Sequence, residues 1–492
     1  MRSAEQYKAS LRDDRTVFFR GRRVEDVTTH PVLKVAVDHA AIDYELADDP
    51  SSRSLAVAED PSTGAPISRY YQLPRSAEDL RCRGALIEES TRRGATLVVL
   101  IKEIGTDALF ALQVIARTLD EKAGRDYLPR VRAFYERCKR EDLALAVAQT
   151  DVKGDRGRGP SEQAHPDYYV HVVDRNARGI VVRGAKVHTS VSVNANEIIV
   201  LPTRALGEAD ADYAVSFAVP ANAPGLKLLA SPYGSPASAL GGEPARKSEF
   251  EHPISARHKM IETLTVFDDV FVPWERVFLC GEWQFAGPLA LGFVEFHRFT
   301  AVSYKLPLVD ALVGAAQLLA ELNGIERASH VREKLVRLIA YAQTLRALAN
   351  QAALACSFQD VGDGKIAVPN QLLINVAKLH FAEGYHQAVR TVQDLAGGLL
   401  VTGPGEEDWQ SPTLRPLLER FLGGKAGFST EDRLRAINLV RDLTASDYGG
   451  YQEVLAVHAE GSLEAEKLAI LRSFDGKGTR AYARWLAGLN DE

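Results

Sequence analysis

The chain has 492 residues, 46% of them hydrophobic, a formal net charge of −6 with both signs interspersed, and four widely separated cysteines. That length and apolar content support two or three domains with buried cores and exclude a disordered chain. No basic field is concentrated for nucleic acid or an anionic membrane, and Cys82, Cys138, Cys280 and Cys356 match neither a metal-ligand spacing nor a disulfide framework.

The N-terminal stretch MRSAEQYKASLRDDR has no apolar signal core, and no apolar run reaches the roughly eighteen residues of a membrane span, so a soluble cytoplasmic protein is expected. Residues 1–149 read as an all-helical domain. SAEQYKASLRDD opens with a serine cap, and SAEDLRCRGALIEESTRRGATLVVLIKEIGTDALFALQVIARTL carries apolar residues at helical spacing. Residues 150–284 change to short β-branched runs with turn punctuation, among them DYYVHVVD, IVVRGAKVHTS, EIIVLPT, YAVSFAVP and IETLTVFDDVFVPWERVF. ASPYGSPASALGGEPARKS reads as a surface loop between two of these strands. Residues 285–492 return to long helices whose wide apolar stripes predict a four-helix bundle.

Three stretches carry unusual polar or glycine content. TDVKGDRGRGPSEQ, Thr150 to Gln163, lies where helix gives way to strand; its glycines and proline prevent regular structure and expose backbone N–H groups to a polar or anionic ligand. It lacks the GK[ST] of a phosphate-binding Walker loop, and no GxGxxG follows a strand, so no nicotinamide-binding fingerprint is present. VHTSVSVNANE places His188, Thr189, Ser190, Asn194 and Asn196 at a strand end, and LAGGLLVTGP interrupts a helix with two glycines. In EFHRFTAVSYK a histidine and an arginine stand inside a buried-looking helix, either as packed polar residues or as chemistry.

With YYQLPRSAEDLRCR, YAVSFAVP, TVFDDVFVPWERVF and ASHVREKL, these stretches resemble, nearly end to end, a flavin-dependent family. It is the one that contains the large oxygenase component of 4-hydroxyphenylacetate 3-monooxygenase and also 4-hydroxybutyryl-CoA dehydratase. The resemblance implies an α+β, acyl-CoA-dehydrogenase-like subunit: an N-terminal helical domain, a middle β-barrel and a C-terminal four-helix bundle, assembled as a homotetramer. It places FAD along Thr150, Lys153, Arg156, His188, Thr189 and Ser190, with Thr189 or Ser190 at flavin N5, and Gly397 and Gly398 at a flavin-side loop to which a neighbouring subunit contributes.

In the dehydratase branch a histidine, a cysteine seven positions later and an upstream CxxxC pair hold an iron–sulfur cluster. Here the histidine is His297, while Tyr304, Val99 and Glu103 occupy the cysteine positions, so no cluster is expected. The monooxygenase branch binds its phenol with an Arg, a Tyr and a His; Ile104, Ala108 and Val147 stand there, with Glu103 adjacent, which makes hydroxyphenylacetate itself a doubtful substrate. The resemblance implies a two-component monooxygenase that receives FADH2 from a separate flavin reductase and hydroxylates an electron-rich small molecule, free or carrier-tethered, through a C4a-hydroperoxyflavin. His297 is the expected proton-transfer residue, Arg298 a group that steers an anionic substrate, and Tyr304 an alternative donor. Lys102 and Glu103 form a charged pair with either a substrate-binding or an internal role. The alternative reading is an FAD-dependent acyl-CoA dehydratase or isomerase without the cluster.

Overall fold

A computed structural model describes residues 1–235 and 247–489. Most of the glycine- and proline-rich loop expected between strands lies outside the described residues.

The first 149 residues are not all helical. Besides helices α1 (Ala77–Arg93), α2 (Glu103–Ala123) and α3 (Leu128–Glu141), they contain strands β1 (Val17–Phe19), β2 (Arg22–Val24), β3 (Val57–Glu59), β4 (Pro66–Ser68) and β5 (Leu145–Ala148). Strands of three or four residues are too short to display a period of two, which is why sequence periodicity passes over them. Ser76 caps α1 by accepting from the Asp79 N–H, and Ser3, the serine cap expected from the sequence, accepts from the Gln6 N–H ahead of a short helix at Ala4–Ala9.

The middle of the chain supplies β6 (His171–Asn176), β7 (Gly179–Ser190), β8 (Glu197–Val200), β9 (Val215–Pro220), β10 (Leu226–Ala230), β11 (Glu262–Pro273) and β12 (Val277–Cys280). Among the described residues the expected barrel is not closed. The strands form a six-stranded sheet, β2-β1-β10-β11-β7-β6, and a four-stranded sheet, β12-β9-β8-β5, each with two free edges. The sheets pack through Phe217 of β9 and Phe267 of β11, whose rings meet edge to face at 5.7 Å. Three strands come from before residue 150. β1 runs parallel to β10, with β2 as its antiparallel partner, and β5 runs parallel to β8, so the sheets are stitched to the N-terminal helices by the chain itself.

Four long helices follow: α4 (Ala286–Leu322), α5 (Ser329–Leu354), α6 (Gln371–Ala396) and α7 (Thr430–Thr444). They bury a common core that includes Leu312, Leu319, Leu345, Phe381, Val392 and Ile437. A hairpin of β13 (Ser357–Asp360) and β14 (Lys365–Val368) links α5 to α6 and has no clear precursor in the sequence pattern. α6 stops at Ala396 because Gly397 adopts φ +70°, where only glycine is unstrained. Two further helices, α8 (Asp447–His458) and α9 (Leu463–Ser473), fold back over α6. α4 is the central element: α1, α2, α5, α6 and α7 all pack against it. It is apolar and long enough to cross a membrane, and most of its apolar window is buried against these neighbours.

Candidate active site

The first cluster forms where α2 meets α4. His297 is buried and stacked on Phe293 one turn earlier, with ring centroids 5.1 Å apart. Its Nδ1 lies 3.1 Å from Asp107 Oδ2 on α2. The other oxygen of Asp107 accepts from Arg83 Nη2 at 2.7 Å and from Thr300 Oγ1 at 3.1 Å. Glu103, at the start of α2, accepts from the Tyr70 hydroxyl at 3.3 Å and from the Lys102 backbone N–H at 3.1 Å. Lys102 does not pair with it. Its ammonium instead donates to Asp142 Oδ1 at 2.6 Å and lies 3.7 Å from the centre of the Tyr44 ring. Asp43, beside Tyr70, is held well above the ordinary carboxylate range by burial and by the nearby Glu103.

The second cluster joins α4 to the C-terminal helices. Tyr304 donates to Glu460 Oε1, and Lys305 Nζ lies 2.7 Å from Glu460 Oε2. Lys378 of α6 approaches Glu460 at 4.0 Å and Glu466 at 3.9 Å. Burial works against the charge on each, pushing the Lys305 ammonium down and the Glu460 carboxyl up. Arg298 turns into this cluster rather than toward an open cavity: it donates to the Glu460 carbonyl at 3.0 Å and to Asn375 Oδ1, and sits 4.0 Å from Glu466. Its expected role in steering a substrate gives way to one of anchoring the C-terminal segment. A narrow cleft borders Tyr304, Lys305, Leu97 and Phe381.

The third cluster lies at the end of β7. Asp151 accepts from Lys186 at 2.8 Å and from the Val170 N–H at 3.1 Å, fixing the start of the Thr150 loop. Thr150 joins that loop to the strand by accepting the Val187 N–H at 2.9 Å. Lys153 and His188 both adopt positive φ, +76° and +56°, conformations that non-glycine residues take when surrounding structure imposes them. Burial, helped by the neighbouring charges of Arg156 and Arg204, holds the Lys153 ammonium below its usual range. Burial and the charge of Lys153 do the same to His188. The Thr150 loop and the β7 end, far apart in the pattern of elements, are therefore neighbours. Thr189 has a fully buried hydroxyl without a hydrogen-bond partner. Ser190 donates to Glu262 at 2.8 Å, and Tyr451 of α8 donates to the same carboxylate at 2.8 Å. Burial raises Glu262 to about 7. A small cleft opens beside it, lined by Tyr448, Tyr451, Lys259 and again Leu97, the residue shared with the second cleft.

Ile104, Ala108 and Val147 are buried core residues that line neither of these clefts. Gly397 and Gly398 are exposed, and a Cβ at either would meet nothing within 4 Å. No hydrogen bond joins them to the Thr150 loop or the β7 end within the chain.

The family models described as 4-hydroxyphenylacetate 3-hydroxylase N terminal and C terminal match residues 3–279 and 286–488. The chain belongs to the 4-hydroxyphenylacetate 3-hydroxylase family. It is 34% identical to the 4-hydroxybutyryl-CoA dehydratase/vinylacetyl-CoA-Delta-isomerase of Clostridium aminobutyricum, over 99% of both chains. It is 30% identical to the 4-hydroxyphenylacetate 3-monooxygenase oxygenase component of Thermus thermophilus, over 92% of this chain and 90% of the relative. Among solved structures, an archaeal 4-hydroxybutyryl-CoA dehydratase from N. maritimus superposes with a TM-score of 0.91 at 30% identity, covering 100% of this chain and 96% of that one. The oxygenase component of 4-hydroxyphenylacetate 3-monooxygenase, complexed with FAD, superposes with a TM-score of 0.88 at 28% identity, covering 99% and 98%. This is an enzyme of a family whose oxygenase members use FAD.

The residues at the β7 end fit a flavin. An orphaned buried hydroxyl at Thr189 wants an acceptor or donor that the protein does not supply, and Lys153, Arg156 and Arg204 gather positive charge at the adjoining loop, which suits an anionic group. The dehydratase branch's cluster positions are different. They hold an isopropyl group at Val99, a carboxylate at Glu103 bonded to Tyr70, and a phenol at Tyr304 bonded to Glu460. None is the soft thiolate that an iron–sulfur cluster takes, so this donor set does not fit one.

Sequence reasoning singled out His297, Glu103 and Tyr304 but missed Asp107, Arg83, Lys305, Glu262 and Glu460. Of these, Lys305 carried a signal, a lysine following Tyr304 inside an apolar helix. Glu460 carried none, because its partner lies 155 residues away.

Proposed function

We propose that this protein is the oxygenase component of a two-component flavin-dependent monooxygenase, using FADH2 supplied by a separate reductase to hydroxylate an electron-rich small molecule. The observation that carries this reading is the unpartnered, buried hydroxyl of Thr189 at the end of β7, beside a loop whose charged side chains suit an anionic cofactor. The reductase is inferred from the chain's lack of a nicotinamide fingerprint and from relatives named as oxygenase components. When bound, reduced flavin activates oxygen and supplies one of its atoms to the substrate.

The chain's own residues would do the rest. Thr189 or Ser190 would hydrogen-bond the flavin edge, and Lys153 and Arg156 would hold its anionic portion. His297 would move the proton, and Glu262, poised near neutrality, would hold a second one beside Ser190. Leu97, Phe381 and Tyr448 would keep water from the space between the clefts. Gly397 and Gly398 would border a flavin only on another copy, as in a homotetramer with cofactors near its interfaces. Ile104, Ala108 and Val147 offer no hydrogen bond to a phenol, which favours a substrate other than 4-hydroxyphenylacetate.

The test is to mix oxygen with FADH2 in the presence and absence of the protein and to follow reoxidation and peroxide release. Protein-bound flavin should release peroxide more slowly than free flavin, and a turned-over substrate should carry one atom of ¹⁸O from ¹⁸O2. Reoxidation indistinguishable from that of free flavin would remove the proposal.

A second reading, an FAD-dependent acyl-CoA isomerase or dehydratase without a cluster, is favoured by one observation: the 34% identity with the clostridial dehydratase/isomerase extends over 99% of both chains. Conversion of vinylacetyl-CoA by the protein loaded with oxidised FAD, with no net redox change, would establish it in place of the first.

A further inference from the structure

We infer that Asp107 is a positioning residue that fixes the tautomer of His297, holding the proton on Nδ1 so that Nε2 is presented as the proton acceptor. The inference rests on the role of His297 in the proposed function, and nothing in that role specifies Asp107.

The argument is one of hydrogen-bond satisfaction. An ionised carboxylate only accepts, and Asp107 has a distinct partner for each oxygen. Oδ1 receives Arg83 Nη2 at 2.7 Å and Thr300 Oγ1 at 3.1 Å. Arg83 has no acceptor to offer, and it is itself fixed by the backbone carbonyls of Tyr70 at 3.1 Å and Glu103 at 3.0 Å. Oδ2 is left for His297 Nδ1 at 3.1 Å, which must then carry the hydrogen. Nε2 has no hydrogen bond to the protein and is not among the fully enclosed polar atoms that lack one. It is the ring atom left for chemistry. Phe293 is stacked on the imidazole with 14° between planes, and a half-turn of the ring would bring a carbon, Cδ2, in place of Nδ1 to Asp107, losing the bond. Asp107, Arg83 and Thr300 are all fully or nearly fully buried, so water does not compete for these bonds.

This arrangement makes Asp107→Asn a sharp probe. An asparagine cannot direct its amide nitrogen at Oδ1's position, where two donors point, so its carbonyl oxygen faces Arg83 and Thr300 and its NH2 faces His297. Nδ1 must then accept, the proton moves to Nε2, and the ring's free nitrogen becomes a donor. The change is nearly isosteric, and all three partner side chains keep a hydrogen bond.

The experiment uses the full-length protein labelled with ¹⁵N-histidine, the His297 signal being assigned by its loss in His297→Gln. Wild type should show the proton on Nδ1 and Asp107→Asn should show it on Nε2, with kcat lowered about 10²–10⁴-fold and KM little changed. Thr300→Val, which leaves Arg83 on Oδ1, should keep the wild-type tautomer. A wild-type imidazole with its proton on Nε2 overturns the inference, and that measurement needs no variant to fold. A tautomer that switches in Asp107→Asn with kcat unaltered upholds the positioning by Asp107 and refutes instead the proton-transfer role of His297.

Discussion

Thr189 illustrates how one side chain separates a binding role from a structural one. Its hydroxyl is buried without a partner, which costs the apo-protein free energy, so replacing it by the isosteric valine should leave thermal stability unchanged or slightly raised. If the hydroxyl bonds a flavin, Thr189→Val should weaken FAD binding about threefold to tenfold by calorimetric titration, the worth of a hydrogen bond of about 0.5–1.5 kcal/mol. Unaltered affinity would take Thr189 out of the cofactor site. Glu262 gives a pH signature. Its carboxyl is raised to about 7 in the folded chain, mainly by burial, against hydrogen bonds from Tyr451 and Ser190 that act the other way. A carboxyl raised on folding favours the protonated state, so its contribution to stability is complete below about pH 4.5 and is lost as pH rises through about 7. The apo wild type should therefore lose stability relative to Glu262→Gln between those values, by roughly 2–3 kcal/mol, with the gap constant above about pH 8. Melting temperatures of both proteins from pH 5 to 8 check this. At this scale the sequence revealed residue types but not partners. His297 stood out in an apolar helix, whereas Asp107, which tells how the histidine is oriented, looked like one more acid at a helix start.

At the scale of elements, the site depends on α2 lying close to β5. Gly105 makes that approach possible: a Cβ there would meet Leu145 Cβ at 2.1 Å, and β5 begins with the Leu145 N–H donating to the Ile101 carbonyl at 2.8 Å. Gly105→Ala should therefore destabilise the protein by about 1–3 kcal/mol despite alanine's better helix propensity, because overpacking outweighs a gain of at most about 1 kcal/mol. It should also displace Glu103 and Asp107, which occupy the same two turns. Urea denaturation measures the first effect; a variant as stable as wild type would show that α2 can shift without cost. The long helices were legible because each repeats an apolar stripe, in one case with a local stop signal at Gly397. The joining of β1 and β2 to β10, and of β5 to β8, was not. These pairings connect segments as much as 211 residues apart, and nothing local in three or four residues specifies such a partner. The open edges of the two sheets follow from the same fact, since closure depends on strand pairing rather than on strand count.

For the whole molecule, the C-terminal helices are held to the core by charge as well as by apolar packing. α4 and α6 bury three cations, Arg298, Lys305 and Lys378, and the segment between α8 and α9, with α9 itself, returns with two carboxylates, Glu460 and Glu466. Removing Glu460 alone leaves Lys305 and Lys378 facing one another in a desolvated space, so Glu460→Ala should destabilise by about 3–5 kcal/mol. Lys305→Met should cost less, because Lys378 at 4.0 Å and the Tyr304 hydroxyl still face Glu460. The double variant Lys305→Met/Glu460→Leu replaces the ion pair by apolar groups of comparable size and should recover part of the loss; measured with Lys305→Met and Glu460→Leu as the single variants, the double-mutant cycle should give a coupling energy of about 0.5–3 kcal/mol. Limited proteolysis adds the spatial half of the test: cleavage between α8 and α9 should rise in Glu460→Ala and fall back in the double variant. Strictly additive losses, with cleavage the same in all three, would mean that the Lys305–Glu460 contact does not hold the C-terminal helices against α6.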